Sequence, residues 1–156
     1  MAKPTTFQFT RDGFNKLKEE YDVLIKVKRP TTVTRLAKAR AMGDLSENSE
    51  YTAAKEEIAF VEGRIKEVEE LLKNAVVIEP TSSTGIDIGT QVTVEKNGAL
   101  ETFFIVGEFE ADPMEKKLSS TSPIGKALLG KNLGDMVEVK VPVGTLKYVI
   151  KEIKKS

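Results

Sequence analysis

Two different rhythms of apolar and polar positions divide this chain. From Tyr51 onward, apolar or small residues fall at Tyr51, Ala54, Ile58, Val61, Ile65, Val68 and Leu72, an alternation of three and four that holds for three heptads. Such a stripe predicts a helix with a coiled-coil seam. The segment before it keeps the same rhythm at Phe14, Leu17, Tyr21 and Leu24, loses phase around Pro30, and resumes at Val33, Leu36 and Ala37. A proline removes one helical N–H and crowds the carbonyl four residues back, so Pro30 predicts a kink or a brief break. Thr10 is a suitable N-cap for the first helix, with Asp12 in its first turn, where the helix dipole favours an anion. A turn over residues 42–46 reverses the chain. The second helix, from about Ser46 to Lys73, would be roughly 42 Å long at about 1.5 Å per residue. Two such helices form a rod.

Beyond Asn74 the helical period disappears. Val76, Val77 and Ile78 lead into Pro80 and a Thr/Ser/Gly stretch, Thr81 to Gly85, which reads as a linker. Residues 91–95 and 101–107 read as strands around Lys96-Asn97-Gly98, where Asn-Gly supplies the positive backbone angles of a tight hairpin. Val137, Val139 and Val141 alternate with charged residues, and Leu146, Tyr148 and Ile150 repeat the pattern after Pro142 to Thr145, predicting a second hairpin. Between the hairpins, Ser122-Pro123 opens a short helix that Gly130 closes. The expected class is α+β: a long antiparallel helical hairpin over residues 1–78, with its tip at 42–51, followed by an antiparallel sheet domain with one short helix over 79–156.

Charge refines this picture. The formal net charge is zero, yet residues 1–45 carry 10 bases and 5 acids, whereas residues 46–80 carry 4 bases and 9 acids. Opposite charge on adjacent segments suits an antiparallel helix pair. Val23 to Gly43 holds six bases, Lys26, Lys28, Arg29, Arg35, Lys38 and Arg40, and no acid. That stripe either pairs with the acidic second helix or follows a phosphate backbone. No apolar run approaches a membrane span and no export signal is evident, so a cytoplasmic location is expected. The chain has no Cys and no His. Thiol chemistry, sulfur metal sites and the commonest general base are thereby excluded, leaving carboxylates, hydroxyls and amines.

The turn carries the candidate chemistry, in Gly43-Asp44-Leu45-Ser46-Glu47-Asn48-Ser49-Glu50-Tyr51. Asp44 and Glu47, three residues apart, could together supply part of the oxygen shell of a divalent ion such as Mg²⁺, with positions left for water and a substrate phosphate. Alone they would bind it weakly. Spacing by itself favours another role, an acidic capping box with Asp44 as N-cap and Glu47 as the third helical residue. Tyr51 either closes the seam or displays its ring to a nucleobase, and Arg40 either pairs with Asp44 or meets phosphate.

This tip, followed by Thr52-Ala53-Ala54-Lys55-Glu56 and Glu62-Gly63-Arg64-Ile65, resembles that of the bacterial Gre transcript-cleavage factors. Arg29-Pro30, Ala39-Arg40, Glu110-Ala111-Asp112, Ser122-Pro123-Ile124 through Lys131, and Gly134-Asp135 extend the resemblance over nearly the whole chain. It implies an N-terminal antiparallel coiled coil and an FKBP-like C-terminal domain. It also implies a monomer that binds RNA polymerase, enters its secondary channel and stimulates cleavage of the extruded RNA 3′ end in backtracked complexes. Such a factor is no enzyme itself. Asp44 and Glu47 would help hold the second catalytic Mg²⁺ in the polymerase's own site, with no ion bound stably by the factor alone. By the same resemblance Tyr51, Arg40 and Lys55 would lie near the RNA 3′ end or the channel wall, and Lys26, Lys28, Arg29, Arg35 and Lys38 would guide RNA.

Other functions remain in competition with this expectation. An inhibitor of the same channel would use the same rod, although the tip fits the cleavage-promoting pattern. An FKBP-like prolyl isomerase or chaperone would need an aromatic pocket, for which the second half offers Phe103, Phe104, Phe109 and Tyr148. A structural coiled-coil adaptor would use the tip acids only as caps.

Overall fold

The structure, a computed structural model, describes residues 6–44, 47–79 and 85–155. Its helical unit, residues 15–74, is an antiparallel hairpin. Helix α1 (Arg11–Val23) runs through a π-helical turn (Leu24–Lys28) into α2 (Arg29–Ala41), and α3 (Ser49–Lys73) returns. Side-chain partners give the direction: Glu20 meets Arg64, Arg29 meets Glu62, Arg35 meets Glu57, and Ala39 meets Asn48. On α3 the buried positions are Ala54, Val61, Ile65, Val68 and Leu71. The expected seam therefore holds at Ala54, Val61, Ile65 and Val68, whereas Tyr51 and Ile58 are half-buried and at the root Leu71 is buried while Leu72 is only half-buried.

On the first arm the seam differs from the expected one. Leu17, Leu24, Thr32 and Ala39 are buried, whereas Val33 is 55% exposed and Ala37 is exposed. Their spacings are seven, eight and seven. The eight contains one residue more than a heptad, and the π turn absorbs it: the Arg29 N–H donates to the Leu24 carbonyl, five residues back. Pro30, which has no N–H to give, follows at once. Thr31 donates its hydroxyl to the Val27 carbonyl at 2.7 Å and Thr32 to that of Arg29 at 2.8 Å, satisfying oxygens around the distortion. No break occurs at Pro30. The phase loss in the sequence marks an inserted residue that the helix winds into place.

The second unit is a five-stranded sheet, ordered β5-β4-β3-β7-β6. Its strands are β3 (Thr90–Lys96), β4 (Ala99–Val106), β5 (Lys117–Ser119), β6 (Met136–Val141) and β7 (Gly144–Lys155). The expected Asn-Gly hairpin is present, with Asn97 at φ 52° and Gly98 at φ 81°. Helix α4 (Pro123–Leu128) starts at Ser122, whose hydroxyl accepts from the Gly125 N–H at 3.1 Å. Val92, Val94, Ile105, Val137, Val139 and Ile150 bury one face of the sheet together with Leu128. The sheet is mixed, a correction to the antiparallel expectation, because the short strand β5 returns parallel to β4. Strand β7 extends to Lys155 because its register against β3 shifts between Thr93 and Val94. The shift leaves Lys151 as a bulge and moves Ile153 into register with Val92. Strict alternation ends at Ile150 for that reason.

Packing divides the chain differently from composition. Strand β1 (Phe7–Phe9) pairs in parallel with β2 (Ala75–Val77), and the Ile78 N–H donates to the Phe9 carbonyl at 2.8 Å. Phe9 is fully buried, and the ring of Phe109 meets both Phe7 and Phe9. The Glu110 carboxylate accepts from the Thr10 N–H at 2.8 Å and from the Thr10 hydroxyl, while that hydroxyl caps α1 by accepting from the Gly13 N–H at 3.0 Å. Residues 6–14 thus pack with the described residues from Ala75 onward. Most of the linker segment, residues 80–84, lies outside the described residues. Among the described residues no helix is long and apolar enough to cross a membrane.

If the π turn holds one inserted residue, deleting Val27 together with Pro30→Ala will restore a regular α-helix with its seam in phase. Such a variant is expected to keep its melting temperature within a few degrees in helical circular dichroism. Deletion of Lys66 in α3 rotates half the seam by about 100° and should unfold the rod, because each displaced aliphatic side chain costs about 2–5 kcal/mol.

Candidate functional site

The tip begins where α2 ends. Met42 and Gly43 direct their N–H groups back to the carbonyls of Ala39 and Arg40, and Gly43 takes a φ of +111° that lets the chain leave the helix. Asp44 follows, exposed; Leu45 and Ser46 lie outside the described residues, and Glu47 is exposed on the far side of the turn. Helix α3 then starts at Ser49, with Asn48 as its N-cap. The Asn48 Oδ1 accepts from the Tyr51 N–H at 3.0 Å, and its Nδ2 donates to the Ala39 carbonyl at 2.7 Å. One side chain thus caps the returning helix and ties it to the end of the outgoing one. The expected capping box is corrected by this geometry: helix α3 begins at Ser49 rather than near Ser46, and neither Asp44 nor Glu47 occupies its cap position.

Tyr51 is half-buried, with the Arg40 guanidinium 5.9 Å and the Lys55 ammonium 5.2 Å from its ring centroid. Two cations therefore sit against one π face system. Arg40, Tyr51 and Lys55 thus lie close together at the tip. Half-buried, Tyr51 stands at the tip end of the seam.

The basic stripe separates into two sets. Arg29 forks onto Glu62 with two bonds of 2.9 Å, and Arg35 forks onto Glu50 at 2.6 and 3.1 Å and also reaches Glu57. Those two arginines belong to helix pairing, as does Arg64 with Glu20. The fork geometry explains why arginine fills these positions. Lys26, Lys28 and Lys38 form no ion pair among the described residues, although Lys28 lies near enough to Glu20 to favour its ionised form. Hydrogen bonds from the facing guanidiniums hold Glu20, Glu50 and Glu62 below the ordinary carboxylate range.

Among the described residues no group of three or more carboxylates is gathered to hold a metal ion. Asp44 and Glu47 are both exposed at the turn. The aromatic side chains that an isomerase pocket would display are committed elsewhere: Phe103 and Tyr148 lie in the sheet core at 7% and 3% exposure, Phe104 is half-buried, and Phe109 packs on Phe7 and Phe9.

Two family models match the chain, the N-terminal domain of a transcription elongation factor over residues 7–77 and the C-terminal domain of GreA/GreB transcription elongation factors over residues 81–155. The chain belongs to the GreA/GreB family of transcription elongation factors. It is 50% identical to transcription elongation factor GreA of Thermoanaerobacter pseudethanolicus, over 99% of this chain and all of that one. GreA proteins of Bacillus cytotoxicus and Limosilactobacillus fermentum are 46% and 43% identical over the same shares. Among solved structures, the GreA factor homolog 1 (Gfh1) protein of Thermus thermophilus aligns with a TM-score of 0.46 and 28% identity, covering 96% of this chain and 99% of that chain.

Two residues of this Gre-family tip escaped sequence reasoning as structural determinants. Asn48 is a favoured cap type with Glu50 behind it in the first turn, a signal overshadowed by the Asp44/Glu47 spacing. For Arg35 the sequence leaves helix pairing open without naming partners; these are Glu50 and Glu57, seven residues apart on one helical face.

Replacing Asn48 by Ala should cost about 1 kcal/mol, or about 2–4 °C in melting temperature. Asp44→Asn and Glu47→Gln should each stay within about 0.5 kcal/mol of the parent, as side chains away from the cap usually do; an equal loss in either would restore the capping reading. Because Glu20, Glu50 and Glu62 have depressed folded pKa values, their pairs stabilise the rod above the ordinary glutamate value, about 4.3, and that stability drains away as pH falls through the folded values. Acid melts followed by helical circular dichroism should therefore decline below pH about 4, and Arg64→Gln should decline less steeply than the parent.

Proposed function

We propose that this chain stimulates cleavage of the RNA 3′ end by RNA polymerase in backtracked, arrested complexes. Its hairpin would enter the polymerase's secondary channel and bring Asp44 and Glu47 to the catalytic centre of that enzyme. The observation that carries this reading is the tip itself: two exposed carboxylates flank the turn of a rod, and the adjacent helix takes its cap from a different residue. The GreA relatives, matched end to end, support the same role.

The donor set fits the task. Carboxylate oxygens suit Mg²⁺, and two of them leave places for water, a phosphate oxygen and ligands from the polymerase. A second Mg²⁺ held there would supply an activated water and offset charge on the leaving oxygen of an in-line phosphodiester hydrolysis. The chain's own residues bind and orient. Tyr51 offers a π face to an unpaired base, while Arg40 and Lys55 beside it present charge to the phosphates. Lys26, Lys28 and Lys38, outside the helix-pairing network, extend that attraction along the first arm to the extruded strand. In this reading the factor lends ligands and hosts no reaction of its own, which accounts for a chain without His or Cys.

The deciding measurement is RNA cleavage in stalled elongation complexes. Asp44→Asn and Glu47→Gln should each lower stimulated cleavage at least about 100-fold, since even outer-shell partners of a metal cost 10–100-fold. Competition for polymerase against the parent chain should change less than about twofold, a free-energy difference of only about 0.4 kcal/mol. Full cleavage by both amides would remove the metal role.

A further inference from the structure

The apolar seam thins toward the tip. At the root, Leu24, Val61, Ile65 and Val68 fill it, but toward the tip the fully buried residues are Ala39 and Ala54, with Leu36 and Ile58 only half-buried. Alanine lets the helices approach closely yet removes little surface from water, so this end gains far less from burial than the root. Polar contacts cross the pair along its length, from Glu20–Arg64 to the tip, and toward the tip Arg35 and Asn48 make them. Arg35 reaches across to Glu50, in the first turn of α3, and to Glu57, two turns further on. Four residues beyond Arg35, the Ala39 carbonyl receives Asn48, which immediately follows Glu47.

We propose that Arg35 is a positioning residue for the tip carboxylates. By gripping α3 at two points on one face, it fixes the azimuth and height of the first turn, and so the placement of the Asn48 cap and of Glu47 just before it. A lysine would not reproduce this, since a single ammonium lacks the planar fork that meets the two oxygens of Glu50 and still reaches Glu57. Half-exposed ion pairs contribute only modestly to global stability, and the main product of this network is orientation. The proposal rests on reading Asp44 and Glu47 as Mg²⁺ ligands in the polymerase complex.

Two readouts on Arg35→Gln and Arg35→Lys test it. In the isolated full chain, amide hydrogen exchange at Tyr51, whose N–H is held by Asn48, should accelerate on the order of tenfold, while amides near Val68 keep their protection. In stalled complexes, the Mg²⁺ concentration for half-maximal stimulated cleavage should rise roughly tenfold, because small misplacements of a reacting constellation are costly. The factor concentration for half-saturation should stay within about twofold, as expected if affinity for polymerase is unaltered. Unchanged exchange at Tyr51, or an unchanged Mg²⁺ requirement, overturns the proposal; so does a parallel loss of polymerase binding, which would make Arg35 a contact. If Asp44→Asn and Glu47→Gln retain cleavage while Arg35→Gln still loosens Tyr51, the metal reading itself has failed and the positioning role falls with it.

Discussion

The helical arm depends on one constraint: its seam must remain continuous although the first strand of the hairpin carries one residue more than whole heptads. The π turn at Leu24–Lys28 meets that constraint. Without it, everything from Thr32 to the tip would turn by about 100° relative to α3, and Thr32 and Ala39 would leave the interface. The Ala39 carbonyl would then no longer face Asn48, nor Arg35 face Glu50. A local irregularity near the middle of the arm thus sets the geometry of its end.

Charge on the arm is sorted by side-chain chemistry. Arg29, Arg35 and Arg64 are spent on forked bonds between helices, whereas Lys26, Lys28 and Lys38 stay outside the network. Guanidinium suits fixed bidentate pairing, and a mobile ammonium suits a polyanion that slides past. The acids that answer the arginines across the helix pair are Glu20, Glu50, Glu57 and Glu62.

Much of this was legible in the residues. The three-four rhythm located α3, Asn97-Gly98 located a hairpin, Ser122-Pro123 located α4, and the tip motif gave the family. What remained hidden depended on contacts between distant segments. The parallel pairing of β1 with β2 joins residues 7–9 to 75–77, and three-residue strands leave no periodic trace. The bulge at Lys151 disguised the end of β7, since one extra residue reverses which face each side chain takes. At Pro30 the pattern signalled a disturbance correctly but could not distinguish a break from an insertion. At the tip, Asp44 and Glu47 matched a capping pattern in one dimension, while the backbone placed the helix start five residues beyond Asp44.

The parallel pairing of β1 and β2 has a mechanical meaning. Phe9 precedes the hairpin and Ala75 follows it, so the two strands close the intervening chain into a loop. Fraying that begins at the turn cannot let the arms diffuse apart, because their lower ends stay tethered at high effective concentration. Most of the entropy of ring closure is already committed at that base, and each additional helical turn rejoins at only a small further cost. Opening at the end of the arm and rezipping are therefore unimolecular events.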